Sequence, residues 1–186
     1  MGNWFSQVWE KLFAAKRDVR LLMIGLDNAG KSTILYKMKT NELVETGATI
    51  GFNSEEFQLK NFNIKVWDLA GQEKMRSVWK YYYSSVDGIV FVVDASSKER
   101  FGEAREEVQH LLADKELSTV PLLIFANKQD LPDSLSANEI YDVFQLQAIK
   151  QRKIKIQETS AMQDKGLREG MEWIIDLIIS EPSSKN

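Results

Sequence analysis

Val19-Arg20-Leu21-Leu22-Met23-Ile24-Gly25-Leu26-Asp27-Asn28-Ala29-Gly30-Lys31-Ser32 is the stretch on which the fold turns. Val19–Leu26 is a short apolar run that reads as a buried strand, and Lys31–Lys39 reads as a helix. Between them, Gly25–Ser32 matches G-x-x-x-x-G-K-[ST], a loop whose backbone N–H groups gather at a helix N-terminus and cradle phosphates. Gly25 and Gly30 permit the tight bend and inward-pointing amides. Lys31 adds a positive charge for outer phosphates, and the Ser32 hydroxyl suits Mg²⁺. Asp27 is out of place beside phosphates, so its carboxylate is expected to face away from them or toward a cation. Taken alone, the stretch also fits an ordinary strand–turn–helix with a surface lysine.

Outward from this unit, Phe52–Leu59 and Phe62–Asp68 form two strands around the two-residue loop Lys60-Asn61, a hairpin signal. Gly88–Asp94 and Val120–Asn127 are apolar runs rich in β-branched residues, hence buried strands, and Ile154–Glu158 is a weaker sixth. Helical patterns separate them at about Lys98–Ala113, Ser136–Phe144 and Leu167–Ile179, with Ser136 and Glu139 spaced as a capping box. There are no repeats and no low-complexity linker. The alternation predicts an α/β fold: a doubly wound, mostly parallel six-stranded sheet with an antiparallel hairpin strand at one edge. Residues 1–17 read as an amphipathic helix, 18–180 as one domain and 181–186 as a short tail.

Ligands of such a sheet bind at the carboxyl ends of its strands. Three more short segments fall there: Asp68-Leu69-Ala70-Gly71-Gln72, Asn127-Lys128-Gln129-Asp130 and Thr159-Ser160-Ala161. An aspartate placed like Asp68 supports Mg²⁺ in phosphoryl-transfer sites of this type. A carboxylate such as Asp130 can accept two hydrogens from guanine N1 and N2, whereas adenine lacks that donor pair. Leaving the carboxylate unpaired against adenine costs about 1–3 kcal/mol or more. The order of the four segments resembles the small GTPases. The resemblance implies a P-loop GTPase fold binding GTP or GDP with Mg²⁺, with Asp27, Asn28, Ala29, Gly30, Lys31, Ser32 and Thr33 around the phosphates. It implies that the Gly71 amide meets the γ-phosphate and that Gln72 orients the attacking water. It also implies that Lys128 packs its stem against the base, that Asn127 and Ser160 belong to the same site, and that the Ala161 amide meets the base oxygen. Thr49, in Gly47-Ala48-Thr49-Ile50-Gly51-Phe52, would reach Mg²⁺ and the γ-phosphate as a nucleotide-dependent latch.

Thr49-Ile50-Gly51-Phe52-Asn53, Val66-Trp67-Asp68 and Asn127-Lys128-Gln129-Asp130 together resemble the Arf family. Met1-Gly2-Asn3-Trp4-Phe5-Ser6 fits the myristoylation pattern, which makes Gly2 the expected lipidation site, and the tail carries no prenylation cysteine. Two departures stand out: Ala70 where most Arf proteins have glycine, and Gly47-Ala48 where a proline usually precedes the switch threonine. The family implies an exchange factor, a GTPase-activating protein and effectors as partners. It also implies a cytoplasmic protein reversibly bound to the cytosolic face of membranes, the Golgi first among them, in vesicle or membrane trafficking.

The N-terminal segment supports that reading on its own residues. Trp4, Phe5, Val8, Trp9, Leu12 and Phe13 share one helical face, opposite Asn3, Ser6, Gln7, Glu10 and Lys11. Lys11, Lys16, Arg17 and Arg20 outweigh Glu10 and Asp18, the bias of an interfacial helix. A helix docked permanently on the core is the competing reading; the family implies docking with GDP and release to membrane with GTP. One myristoyl chain anchors only marginally, so an insertable helix would be the second signal. In the hairpin, Phe57 and Leu59 share a face, as do Phe62, Ile64 and Val66. Phe52 and Trp67 have the opposite parity and are expected to point outward, forming with Tyr82 an effector surface like that of Arf proteins. A second buried face is the alternative.

Bulk properties narrow the field. The 186 residues are enough for one domain, 44% are hydrophobic and 27% charged, and the net charge of −3 gives no electrostatic case for nucleic acid. The absence of cysteine excludes disulfides and palmitoylation and is compatible with a reducing cytosol. No apolar run reaches the ~18 residues of a transmembrane helix, and Glu10 and Lys11 interrupt what would otherwise resemble a signal peptide. Slow hydrolysis that depends on an activating protein is expected, because no arginine in the sequence reads as an in-cis finger. The competing function classes are a nucleotide-locked scaffold without useful turnover, against which Gln72 argues, and a P-loop kinase, for which there is no acceptor-lid insertion. His110, the only histidine, reads as structural or solvated.

Overall fold

The computed structural model describes residues 18–40, 51–60 and 62–180. Gly2, Thr49 and the whole N-terminal amphipathic segment lie outside the described residues, so the expectations resting on them are not addressed by it.

The strands are β1 (Asp18–Ile24), β2 (Phe52–Leu59), β3 (Phe62–Leu69), β4 (Gly88–Asp94), β5 (Leu122–Asn127) and β6 (Ile154–Glu158). The helices are α1 (Lys31–Thr40), α2 (Phe101–Ala113), α3 (Ala137–Val143) and α4 (Leu167–Ser180). The sheet order is β2-β3-β1-β4-β5-β6, parallel throughout except for the antiparallel β2–β3 hairpin. Alternation within the apolar strands divides the core in two. Leu22, Ile24, Ile89, Phe91, Val93, Leu122 and Ile124 face one side, under Phe101, Ala104, Val108 and Leu111 of α2. Leu21, Met23, Val90, Val92, Leu123 and Phe125 face the other, under Ile34 and Leu35 of α1 and Met171, Ile174, Ile175 and Ile178 of α4. Each such side chain contributes about 1.5–3 kcal/mol by leaving water, which fixes the register of every central strand.

The capping box forms as its spacing predicts: the Ser136 hydroxyl accepts from the Glu139 amide, and the Glu139 carboxylate accepts from the Ser136 amide. The apolar run Val19–Leu26 is strand only to Ile24, because Gly25 begins the turn, and Asp68 lies inside β3, which extends to Leu69. Three 3-10 elements have no counterpart in the sequence reading: the short turns Lys115–Leu117 and Leu146–Ala148, and one long segment. Glu73–Ser85 is a 3-10 segment whose buried residues are Arg76, Trp79 and Tyr83. A charged residue occupies one of the three inward positions, so the apolar periodicity that reveals a helix is broken there.

The hairpin register pairs Phe57 with Ile64 and Leu59 with Phe62, so these residues share the α1/α4 face as expected. On the opposite face the outward expectation holds for Phe52, which is 61% exposed. It fails for Trp67, which is half-buried against the α2-side core together with Tyr82. That side of the sheet is not solvent, because the 3-10 segment packs across it.

Candidate functional site

The phosphate-loop stretch leaves β1 and enters α1 with Gly25, Asn28 and Gly30 at positive φ. Gly30 has a second constraint: a Cβ there would lie 2.4 Å from Asn127 Nδ2. Lys31, though at the helix start, is buried and donates to the Gly25 carbonyl at 3.1 Å and the Leu26 carbonyl at 2.9 Å. Burial pushes its ammonium down to about 8, with the charge of Asp68 opposing. Ser32 Oγ donates to Asp68 Oδ2 at 2.5 Å, which joins the first turn of α1 to the end of β3. Thr33 follows, half-buried, in the same turn, while Ala29 is buried and Asn28 exposed.

Asp27 turns to a cation. Its Oδ1 accepts from Arg100 Nη2 at 2.9 Å, and its carbonyl accepts from Nη1 at 2.9 Å. The hydrogen bond from Arg100 holds its carboxyl below the usual range, against some desolvation.

Gly71 packs directly on the phosphate loop. A Cβ there would fall 2.3 Å from the Gly25 carbonyl oxygen and 2.4 Å from the Asp27 nitrogen, so only glycine fits. Gln72 next to it is exposed and precedes the 3-10 segment. Ala70 donates its amide to the Gly51 carbonyl at 3.1 Å, tying this turn to the start of β2.

At the other end of the rim, Asn127 is 2% exposed and bonds in two directions. Its Nδ2 donates to the Ala29 carbonyl at 2.9 Å. Its Oδ1 accepts from the Ala161 amide at 3.2 Å and the Thr159 hydroxyl at 3.4 Å. One buried side chain thus bolts the phosphate loop to the loop after β6. The Ser160 hydroxyl donates to Asp130 Oδ1 and accepts from the Gln163 amide at 3.1 Å, which orients the Asp130 carboxylate beside Ala161. Lys128, at φ +68°, pairs with Asp94 Oδ2 at 2.7 Å. Burial raises the Asp94 carboxyl, but the bonds from Lys128 and Ser96 more than offset it, so it stays below the usual range.

The structure therefore brings Asp27–Thr33, Asp68, Gly71, Asn127, Lys128, Asp130, Ser160 and Ala161 to one rim. Phe52, Trp67 and Tyr82 form a separate aromatic patch, with Tyr82 centred 6.4 Å from Phe52 and 5.6 Å from Trp67. Sequence reasoning missed Arg76, Arg100, Glu103 and Asp94 at this site. Arg100 and Asp27 are 73 residues apart, and no local spacing signals their contact.

Chemically, inward-facing backbone and a buried ammonium suit a polyanion. The Ser32 hydroxyl and Asp68 carboxylate are hard oxygen donors already in contact, which fits Mg²⁺, an ion held by one or two protein oxygens together with phosphates. Among the described residues no helix is long and apolar enough to cross a membrane.

The profile of the ADP-ribosylation factor (Arf) family matches residues 5–178. Among solved structures, the chain is similar to the Arl6 (BBS3) small GTPase from Trypanosoma brucei, which carries the bound nucleotide analogue GppNp. The identity is 29% and the TM-score 0.82, covering 88% of this chain and 98% of that one.

Proposed function

From a chain that belongs to the Arf family of small GTPases, a family that binds guanine nucleotide and hydrolyses GTP, we propose a membrane-recruited GDP/GTP switch acting in vesicle or membrane trafficking. The observation that carries the proposal is the Asn127 bridge, which makes phosphate loop and base loop one rigid site. In it, Asp130 accepts from guanine N1 and N2, the Ala161 amide meets the base oxygen, and the Lys128 stem covers the base. Asn28 to Thr33 enclose the phosphates, with Lys31 leaving the Gly25 and Leu26 carbonyls for phosphate oxygens. Arg100 screens Asp27 from the incoming negative charge. Mg²⁺, when bound, would be held by Ser32, Thr49 and indirectly Asp68, and would neutralise phosphate charge. The Gly71 amide meets the γ-phosphate, and Gln72 orients the attacking water.

Turnover is slow without a GTPase-activating protein, and an exchange factor reloads the site. Effectors read Phe52, Trp67 and Tyr82. Myristoylated Gly2 and the segment of residues 1–17 hold the protein on the cytosolic face of a membrane, the Golgi being the first candidate. A single acyl chain is too weak alone, so the apolar face of Trp4, Phe5, Val8, Trp9, Leu12 and Phe13 supplies the second contact.

The test is to identify the nucleotide retained on purification by chromatography. Myristoylated protein, loaded with GDP or a non-hydrolysable GTP analogue, is then sedimented with liposomes. Guanine nucleotide and stronger sedimentation in the GTP state are expected. Equal ATP and GTP affinity would remove Asp130 from base recognition, and identical partitioning in both states would reduce the N-terminal segment to a passive anchor.

A further inference from the structure

Three successive carbonyls lead into Gln72, and each accepts a hydrogen bond from the 3-10 segment that follows. Ala70 O accepts from Trp79 Nε1 at 3.2 Å, Gly71 O from Arg76 Nε at 2.9 Å, and Gln72 O from the Met75 amide at 2.8 Å. Arg76 differs from the other two donors in that it also grips a second element. Its Nη2 donates to Glu103 Oε1 at 2.6 Å and its Nη1 to Glu107 Oε1 at 3.0 Å, both on α2. The Arg76 side chain is 8% exposed, whereas Glu107 is 20% and Glu103 38% exposed, so the arginine is covered while its acceptors reach the surface. Glu103 is shared in turn: its Oε2 accepts from Arg100 Nη2 at 3.1 Å, and Arg100 holds Asp27. A continuous chain of charged bonds therefore runs from the Gly71 carbonyl through α2 to the phosphate loop.

The Gly71 carbonyl and the Gln72 amide belong to one planar peptide unit. Clamping the carbonyl fixes that plane, and with it the direction in which the Gln72 side chain leaves the backbone. The guanidinium meets three acceptors at fixed angles in one plane, a geometry an ammonium cannot reproduce. We propose that Arg76 is a positioning residue for GTP hydrolysis, holding the Gly71–Gln72 peptide against α2 so that Gln72 is presented to the attacking water. Arg76 directs its guanidinium to Gly71, Glu103 and Glu107 and acts through Gln72. The inference rests on the role of Gln72 proposed above. A purely structural clamp between the 3-10 segment and α2 predicts a different result in the following experiment.

Single-turnover hydrolysis of [γ-³²P]GTP is followed in the full chain for the parent and for Arg76→Ala, Arg76→Lys, Gln72→Leu and the Arg76→Ala/Gln72→Leu double variant. Release of fluorescent GDP and GTP is measured alongside. Arg76→Ala should slow hydrolysis about tenfold or more, because small misplacements of a catalytic group are costly. Nucleotide release should stay within about twofold, the mark of an effect confined to the transition state. Arg76→Lys should not restore the rate. In the Gln72→Leu background, Arg76→Ala should add nothing, since there is no glutamine left to position.

A parent-like rate in Arg76→Ala beside a slow Gln72→Leu would overturn this inference alone. So would an equal further loss on top of Gln72→Leu. A parent-like rate in Gln72→Leu would overturn the assignment of Gln72 itself. If Arg76→Ala does not fold, the Glu103→Ala/Glu107→Ala double variant decides: it removes both α2 acceptors of Arg76, so the Gly71–Gln72 peptide is no longer held against α2 and hydrolysis should slow. An unchanged rate in that double variant then overturns the proposal.

Discussion

Asn127→Ala tests the claim that phosphate loop and base loop are held as one site. The substitution removes the donor to the Ala29 carbonyl at 2.9 Å and the acceptor for the Ala161 amide at 3.2 Å and the Thr159 hydroxyl at 3.4 Å. Thr159 is wholly buried and Ala161 nearly so, and water cannot easily replace the lost bonds. A buried partner left unsatisfied costs about 1–3 kcal/mol, and the long third contact contributes least, so the total is about 3 kcal/mol. For a domain of this size 1 kcal/mol shifts the melting temperature by roughly 2–4 °C, which gives a fall of about 6–12 °C. The melts are run at one fixed GDP concentration, because bound ligand itself raises stability. Release of fluorescent GDP should accelerate at least about tenfold, the equivalent of only 1.4 kcal/mol. Asn127→Asp is the control of equal size. It keeps the acceptor but turns a carboxylate oxygen toward the Ala29 carbonyl, so it should also release GDP faster. Inosine lacks only the 2-amino group that Asp130 is proposed to read, so Asn127→Ala should weaken GDP and inosine diphosphate by the same factor. Parent-like release in both variants, with a melting shift under about 2 °C, would refute the bridge.

Asp130→Asn should exchange guanine for xanthine preference, measured as the ratio of GTP to xanthosine triphosphate affinity, because an amide pairs with the exchanged edge. Gly71→Ala should lower single-turnover hydrolysis more than GDP affinity. Its methyl meets Gly25 and Asp27 backbone atoms that cannot yield, and the turn must lift from the phosphate loop. The carboxyls of Asp27 and Glu103 lie below their ordinary values, Asp27 through Arg100 and Glu103 first through Arg76 and then Arg100. Depressed carboxylates stabilise the fold fully above the ordinary carboxylate range, and that contribution is lost as pH falls through the depressed values. Thermal melting should therefore decline below about pH 4, and Glu103→Gln should flatten part of that decline.

Much of the architecture was legible because its signals are local. The runs Gly88–Asp94 and Val120–Asn127 are apolar on both faces and read as buried strands, the second beginning only at Leu122, after Pro121, and Ser136 and Glu139 declare a helix start within four residues of chain. The glycine loop, and the order of the other segments along the rim, follow from residue identity, since backbone that must approach an anion requires particular residues at particular spacings. Tertiary structure decided what depends on residues far apart in sequence. The sheet order places β1 between β3 and β4. Asn127 reaches Ala29 across 98 residues, and Arg76 reaches Glu103 across 27. Trp67 became half-buried because a 3-10 segment with an inward arginine covers its face of the sheet. Periodicity records which side of an element is apolar. It carries no record of which distant charge will neutralise a buried guanidinium, because that pairing exists only once both elements are packed.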